Sequence, residues 1–219
     1  MRHRVGGFGM SEAEWKRTKF RSVILRVQGS KFLPDRMRRA LLNYAGAQIH
    51  PTATVRHSCW LASADIVMGR NAMLNNFAYY DGGARLTLED GARVAAYSIF
   101  TTSTHPHSGD PARRSSPSII VAPITVKTGT WIMARVTVNP GVTIASGCMI
   151  GAGSVVTEST EPNGLYVNAI GSSGTVRARR VRELGNGETG DARFGDGVID
   201  LSPSLARRRQ SAPSPTPLP

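Results

Sequence analysis

Two histidines, His105 and His107, lie two residues apart in the stretch T-H-P-H, which begins at Thr104. The unperturbed pKa of an imidazole is close to neutrality, so such a ring can take a proton from a hydroxyl group at physiological pH. A histidine in a surface loop can equally be an exposed polar residue without a chemical role. Which of the two applies depends on the segments that carry the two rings.

The segment that follows these histidines has an apolar repeat of six residues. An α-helix repeats near 3.6 residues and a strand at 2, so neither explains this spacing. The aliphatic anchors are Val126, Ile132, Val138, Ile144, Ile150 and Val156. The fourth residue after each of the first five anchors is small or medium-sized: Thr130, Val136, Val142, Cys148 and Ser154.

Such a repeat indicates a β-solenoid. Three repeats form one triangular coil of about eighteen residues, and stacked coils bury a continuous apolar stripe. A β-sandwich is the alternative, but it has no reason to keep a strict period over six anchors. The sequence therefore predicts an all-β fold, a parallel β-helix.

The same pattern begins earlier in the chain, with shifts in register at some corners. Its anchors are Ile49, Val55, Leu61, Met68, Leu74, Tyr80, Leu88, Val94 and Phe100. Residues 101–119, which contain both histidines of the T-H-P-H stretch, have no anchor at the expected places. A long excursion from a regular solenoid is typical of a functional loop.

Three regions follow from these patterns: a helical segment over 1–46, the β-helix over 47–182 and a tail over 183–219. A capping box at Ser11 predicts the start of the first helix, Pro34 stands at the start of a second, and Gly46 is its predicted stop. Both helices are basic and partly apolar, so they either cap the core or contact a membrane surface. The tail is rich in Gly, Pro, Ser and charge, which predicts disorder.

The net charge of +12 does not indicate a nucleic-acid-binding protein. Residues 46–176 hold eight Lys and Arg against seven Asp and Glu, whereas residues 1–45 hold eleven against three. The excess thus lies mainly outside the predicted β-helix, and no aromatic stacking platform accompanies it. Without a long apolar run or a signal-peptide pattern, we expect a cytoplasmic protein. Its two cysteines do not form a disulfide framework.

The stretches "ITVKTGTWIMARVTVNPGVTIASGCMIGAGSVVTEST" and "YYDGGARLTLEDGARVAAYSIFTTSTHPHSGDP" resemble the hexapeptide-repeat acyltransferases, in particular the maltose, galactoside and colanic-acid O-acetyltransferase group. The resemblance covers about residues 46–182. It implies a left-handed parallel β-helix and transfer of an acetyl group from acetyl-CoA to a hydroxyl. It further implies a carbohydrate acceptor, such as a sugar, a glycan or a glycolipid precursor in polysaccharide modification, and a site between the subunits of a homotrimer.

The resemblance also implies roles for individual residues. By position, His105 is the general base and His107 only flanks it. Asp81 and Asn76 match positions that orient the base and line the acceptor site, with Asn75 as an alternative to Asn76. Asn and Asp also favour turns, so a purely structural role at the corners of the β-helix remains the other explanation for these residues.

For the pantetheine arm and phosphates of CoA, the matching positions are Trp131, Ala134, Ala152 and Thr157. Glu158 stands where the family often has a lysine, and Arg177, with its neighbours in V-R-A-R-R, is a candidate for the missing positive charge. The stretch G-S-S-G-T-V at 171–176 replaces the usual ending of these enzymes.

Two other classes use this architecture. A γ-type carbonic anhydrase needs three histidines on one zinc, and the coils after His107 contain none, so no metal site is expected. A noncatalytic assembly scaffold is the other alternative. Transfer of acetyl groups from acetyl-CoA to sugars would distinguish an enzyme from a scaffold.

Overall fold

A computed structural model of the chain describes residues 12–170 and 176–185. Two helices come first, α1 (Glu12–Val27) and α2 (Asp35–Ala45). They confirm the two helices expected within 11–46. Gly46 ends α2 with φ of 118°, a left-handed conformation that favours glycine. Pro34 stands directly before the first helical residue, and Ser11 lies outside the described residues.

Short strands then follow in groups of three, one group to each coil. The first coil has β1 (Gln48–Ile49), β2 (Thr54–Val55) and β3 (Trp60–Leu61), and the second has β4 (Ile66–Met68), β5 (Met73–Leu74) and β6 (Tyr79–Tyr80). The third has β7 (Leu86–Leu88), β8 (Arg93–Val94) and β9 (Ile99–Phe100). The loop pair β10 (Ser103–Thr104) and β11 (Ile120–Val121) interrupts the series. Next come β12 (Ile124–Val126), β13 (Trp131–Ile132) and β14 (Thr137–Val138), then β15 (Thr143–Ile144), β16 (Met149–Ile150) and β17 (Val155–Val156), and finally β18 (Gly164–Ile170) and β19 (Val176–Glu183).

Equivalent strands of successive coils pair in parallel and form three sheets. Sheet A has the order β1-β4-β7-β12-β15, and sheet C has the order β3-β6-β9-β14-β17. Sheet B runs from β2 through β5, β8, β13 and β16 to β18 and β19. The three sheets enclose a narrow prism, so the predicted parallel β-helix is confirmed.

The six-residue anchors face into this prism. Each of the six from Val126 to Val156 is at most 1% exposed, and the small residues between them, from Thr130 to Ser154, are buried as well. The earlier anchors from Ile49 to Phe100 are also buried. Because burying one such aliphatic side chain contributes about 1.5–3 kcal/mol, the stacked stripe is the main source of stability.

The helices cover the open end of the first coil and pair with its backbone. The side chain of Asn43 makes the two hydrogen bonds that a neighbouring strand would make to Ile49. Its amide donates to the Ile49 carbonyl at 3.0 Å, and its oxygen accepts the Ile49 N–H at 2.8 Å. Arg38 is fully buried and donates to the carbonyl of Val55 at 3.1 Å. Gln28 donates to the carbonyl of Cys59 at 2.9 Å. Unpaired strand edges are thus satisfied by side chains of α1 and α2.

The last strands form a feature that the six-residue pattern does not predict. β18 and β19 make a long antiparallel hairpin, and β18 continues sheet B by pairing with β16. Tyr166 is buried and its hydroxyl accepts the N–H of Glu161 at 2.7 Å. The tail prediction for 183–219 concerns residues that, beyond Gly185, lie outside the described part of the chain.

In the part of the chain that the structure describes, neither helix has the length and hydropathy that crossing a bilayer requires.

Candidate active site

The loop between β9 and β12 is a hairpin that projects from the edge where sheet C meets sheet A. Its arms pair in antiparallel fashion, with Ser103 opposite Val121 and Thr104 opposite Ile120. Residues from both arms line an open depression of about 460 Å³. The lining residues are Thr104, His105, Pro106, His107, Arg114 and Ser115. The structure therefore brings both histidines of the T-H-P-H stretch to one concave surface.

His105 is oriented by the opposite arm of the loop. Its Nδ1 lies 2.8 Å from the carbonyl oxygen of Ser118. Because a carbonyl oxygen only accepts, Nδ1 carries the hydrogen, and the neutral ring keeps its lone pair on Nε2. Within the described residues, Nε2 has no hydrogen-bonding partner. The exposed ring can thus accept a proton at one defined atom.

His107 is held differently. Its backbone forms an isolated antiparallel bridge with Ser115, and no side-chain hydrogen bond fixes its ring within the described residues. Of the two histidines, only His105 has a ring whose tautomer is set by a hydrogen bond. That His105 is a base and His107 only flanks it stays a prediction.

Asp81 anchors the base of the loop. Its Oδ2 accepts the N–H and the hydroxyl of Ser103 at 3.0 and 2.7 Å, and its Oδ1 accepts the N–H of Thr102 at 2.9 Å and also the Thr102 hydroxyl. Among described residues, no hydrogen bond joins Asp81 to His105. The carboxylate therefore positions the chain two residues before the histidine and does not orient the ring directly.

These hydrogen bonds also govern the ionisation of Asp81. Partial burial would raise its pKa, but the hydrogen bonds donated by Thr102, Ser103 and Gly83 stabilise the charged form and hold the pKa below its usual value. Asp81 is thus a carboxylate at neutral pH. It serves as a fixed acceptor and is unsuited to proton transfer there.

Asn76 lies on a different edge of the prism. It follows β5 of sheet B and precedes β6 of sheet C, whereas Asp81 and His105 lie between sheets C and A. Its side-chain amide donates to the carbonyl of His57 at 3.2 Å, and its N–H donates to the side chain of Asn75 at 2.8 Å. One chain alone does not bring Asn76 together with His105.

The residues expected to bind CoA divide in a similar way. Ala134 and Ala152 lie on the B–C edge in successive coils, where the N–H of Gly153 donates to the Ala134 carbonyl at 2.9 Å. A Cβ added to Gly153 would meet no atom within 4 Å, so the surface beside these alanines is open. Trp131 lies on the outer face of sheet B, 45% exposed. Small side chains and an open edge fit an extended pantetheine arm.

Thr157 follows β17 and lies on the C–A edge. Beside it, Glu158 forms an ion pair with Arg177 of β19. Arg177 therefore already neutralises Glu158. Arg179 is exposed and, within the described residues, forms no ion pair, which makes it a candidate cation for a CoA phosphate.

An aromatic stack on the B–C edge was not anticipated from the sequence. The rings of Phe77 and Tyr97 are parallel within 6° and 4.7 Å apart, and the Arg135 guanidinium lies 5.7 Å from the Tyr97 ring. All three residues have φ near 60°, a conformation that is unfavourable for bulky side chains. The N–H of Tyr97 donates to the carbonyl of Asn76 at 3.1 Å, so the stack adjoins a predicted site residue. The sequence does contain a signal for this stack, namely an aromatic residue at the same corner of consecutive coils.

The chain is similar to known proteins in its repeat and in its fold. Residues 123–158 match the family described as bacterial transferase hexapeptide (six repeats). A Staphylococcus aureus (strain MRSA252) protein with a provisional acetyltransferase name is 35% identical over 103 residues, which are 47% of this chain and 51% of that protein. The chain thus spans about half the length of this curated relative.

Two further proteins are similar over a larger share of the chain. The galactoside O-acetyltransferase of Escherichia coli (strain K12) is 27% identical over 173 residues, 69% of this chain and 81% of the relative. A hexapeptide-repeat acetyltransferase of Vibrio cholerae, solved with acetyl coenzyme A, superposes with a TM-score of 0.62 at 23% identity and covers 84% of this chain and 95% of its own. The expected resemblance is confirmed for the repeat and for the fold.

Proposed function

We propose that this chain, which has the repeats and the fold of hexapeptide-repeat acetyltransferases, transfers an acetyl group from acetyl-CoA. The acceptor is a hydroxyl of a sugar, a glycan or a glycolipid precursor. The observation that carries the proposal is the hydrogen bond from His105 Nδ1 to the Ser118 carbonyl. It leaves Nε2 as the basic atom in a depression that is open to an acceptor.

His105 acts as the general base. Its Nε2 takes the proton of the acceptor hydroxyl while that oxygen forms a bond to the thioester carbonyl carbon. The Nδ1–H bond to Ser118 stabilises the imidazolium that forms. As the carbon–sulfur bond breaks, Nε2 returns the proton to the departing CoA sulfur, so the products are an acetyl ester and free CoA. General-base catalysis of this kind contributes typically 10² to 10⁴-fold.

Acetyl-CoA is the donor that the B–C edge fits best, because Ala134, Ala152 and Gly153 leave room beside the backbone. The same donor is bound to the Vibrio cholerae protein of this fold. Trp131 and Thr157 extend the proposed path, and Arg179 or a released Arg177 would meet the phosphates.

The complete site lies between subunits of a homotrimer. Asn76, Ala134 and Ala152 lie on the B–C edge, while Asp81, His105 and Thr157 lie on the C–A edge. A cyclic trimer has heterologous interfaces, in which one edge of a subunit faces a different edge of its neighbour. Such an interface joins the two half-sites. The carbohydrate class of the acceptor is supported by the galactoside O-acetyltransferase relative.

The test is release of free CoA from acetyl-CoA in the presence of single sugars, oligosaccharides and glycolipid precursors. We expect turnover with at least one carbohydrate, and a fall of roughly 10² to 10⁴-fold in His105→Ala with acetyl-CoA affinity unchanged. His107→Ala is the matched control and should be mild. A His105→Ala protein that keeps more than about half of the wild-type rate would contradict the role of the base. Binding of acetyl-CoA without transfer to any acceptor would favour a scaffold.

A further inference from the structure

The outer face of the helical pair carries apolar side chains that nothing in the described chain covers. Phe20, Val23 and Val27 are spaced at i, i+3 and i+7 on α1 and are all exposed. The inner face of the same helices is occupied, since Ile24 and Leu42 are buried and Leu42 packs in the core of the solenoid. The exposed residues therefore form a second apolar face that the solenoid does not use.

The second helix continues this face. Met37 and Tyr44 are exposed on α2, and the ring of Phe20 meets that of Tyr44 edge-on at 5.7 Å. The apolar stripe on α1 extends seven residues from Phe20 to Val27, and the one on α2 extends seven residues from Met37 to Tyr44. Phe32 lies between the helices and is 85% exposed. We define these six residues, Phe20, Val23, Val27, Phe32, Met37 and Tyr44, as the cap face.

Cations accompany the cap face. Arg21, Arg26, Lys31 and Arg36 are exposed, and within the described part of the chain none of them forms an ion pair. The ammonium of Lys31 lies 5.2 Å from the centre of the Phe32 ring. Of the three acidic residues in the two helices, Glu12 and Glu14 lie in the first turn of α1, and Asp35 is engaged by Arg38 and Arg56. The helical pair thus presents aromatic and aliphatic groups among uncompensated positive charges.

We propose that the cap face docks the protein on an anionic membrane surface. Aromatic and aliphatic side chains among Lys and Arg are the pattern of helices that lie in the interface, with the apolar groups in the headgroup region and the cations on lipid phosphates. A second copy of this chain fits less well, because an isologous contact through the same face would bring the four cations of each copy together. The docked end is the end of the solenoid remote from β18 and β19.

The experiment is flotation of the full-length protein with vesicles of phosphatidylcholine alone and of phosphatidylcholine with about one-third phosphatidylglycerol. We expect binding to the second kind, and loss of that binding when salt rises from about 0.1 M to about 0.5 M. Equal binding to both vesicles, or binding to neither, would overturn the proposal. The comparison of the two salt concentrations uses the wild-type protein, so its result does not depend on the folding of a variant.

Two multiple-substitution variants separate the apolar contribution to membrane binding from the electrostatic contribution. Val27→Ser with Phe32→Ser should lower the partition coefficient by roughly tenfold or more, and Arg26→Gln, Lys31→Gln and Arg36→Gln together by roughly 100-fold. Matched controls on other surfaces are Trp60→Ser, which is 64% exposed, and Lys127→Gln with Arg93→Gln. Controls that lose binding to the same degree would contradict the assignment to the cap face. A change of oligomeric mass in the Val27→Ser, Phe32→Ser protein would show a second copy on this face, which also overturns it.

Discussion

The carboxylate of Asp81 and the hydroxyl of Ser103 are 2.7 Å apart, a contact that joins the second coil to the first arm of the loop. Together with the contacts to Thr102, it fixes the chain where the loop leaves the solenoid. His105 follows Ser103 by two residues, so the position of the base depends on this anchor.

Asp81→Asn should therefore lower both stability and turnover. An amide cannot accept all the hydrogen bonds that the carboxylate accepts, and an unsatisfied buried donor costs about 1–3 kcal/mol. We expect kcat to fall while the affinity for acetyl-CoA stays unchanged. Urea unfolding and steady-state kinetics measure the two effects. Unchanged unfolding with unchanged kcat would show that the anchor is dispensable.

The stability lost in Asp81→Asn should depend on pH. The folded-state pKa of Asp81 lies below its usual value, so the carboxylate stabilises the fold above the unfolded pKa of about 3.9. That contribution disappears as the pH falls through the lowered folded pKa. The difference in unfolding free energy between wild type and variant should be largest near neutrality and shrink below about pH 4. A difference that stays constant over this range would show that the charge of Asp81 is not the source of the stabilisation.

Mixed assemblies test the composite site. Asn76 and His105 lie on different edges of one chain, so a trimer that combines Asn76→Ala subunits with His105→Ala subunits should contain some interfaces in which both residues are intact. We expect activity to return when the two inactive proteins are unfolded together and refolded as a mixture. The same proteins refolded separately and then combined without exchange are the control. Absence of recovery in verified mixed trimers would contradict a site shared between subunits.

Glu158→Gln should improve the binding of acetyl-CoA. Glu158 holds Arg177 in an exposed ion pair, and removal of the negative charge frees the guanidinium for a phosphate while it lowers the local repulsion. Exposed pairs are weak, so a decrease in KM for acetyl-CoA of roughly two- to fivefold is expected. Glu161→Gln, which alters an acidic residue outside that pair, is the control. An increased KM would mean that the pair itself builds the site.

Arg38→Met should destabilise the helical cap. Arg38 is fully buried, and its five N–H groups reach the carbonyls of Gln28, Ser30, Leu33 and Val55 and the carboxylate of Asp35. Removing one partner of such a buried network costs about 3–5 kcal/mol. The exposed Arg36→Met is the matched control and should change the free energy of unfolding by less than about 0.5 kcal/mol. Equal effects of the two variants would show that burial of Arg38 contributes nothing specific.

The solenoid was predictable because each coil repeats the same steric demand. Ile132 and Ile150 occupy equivalent places in successive coils, and both are buried in the prism, so the apolar period in the sequence marks the inward-facing position of each strand. The β18–β19 hairpin was not predictable in this way, since its two strands pair in antiparallel fashion and follow no six-residue repeat.

The candidate site was predictable only in part. His105 could be chosen from its loop and from the family resemblance. Its hydrogen-bonding partner is the backbone carbonyl of Ser118, and because every residue has a backbone carbonyl, the sequence does not identify this partner. The link from Asp81 to Ser103 crosses a full coil, which composition and local spacing do not encode. The Phe77–Tyr97 stack likewise arises because the corners of consecutive coils lie directly above one another.

The side chains that pair with the first coil also limit how long the solenoid can become. A bare coil of this kind is a template for polymerisation, because its free N–H and C=O groups would accept the end of another molecule as readily as a further coil. Asn43 at Ile49 and Arg38 at Val55 occupy those groups with side chains that offer no onward strand. The helices thus prevent end-to-end association of solenoids. Without them, a repeat that sets no limit on the number of coils could assemble into filaments.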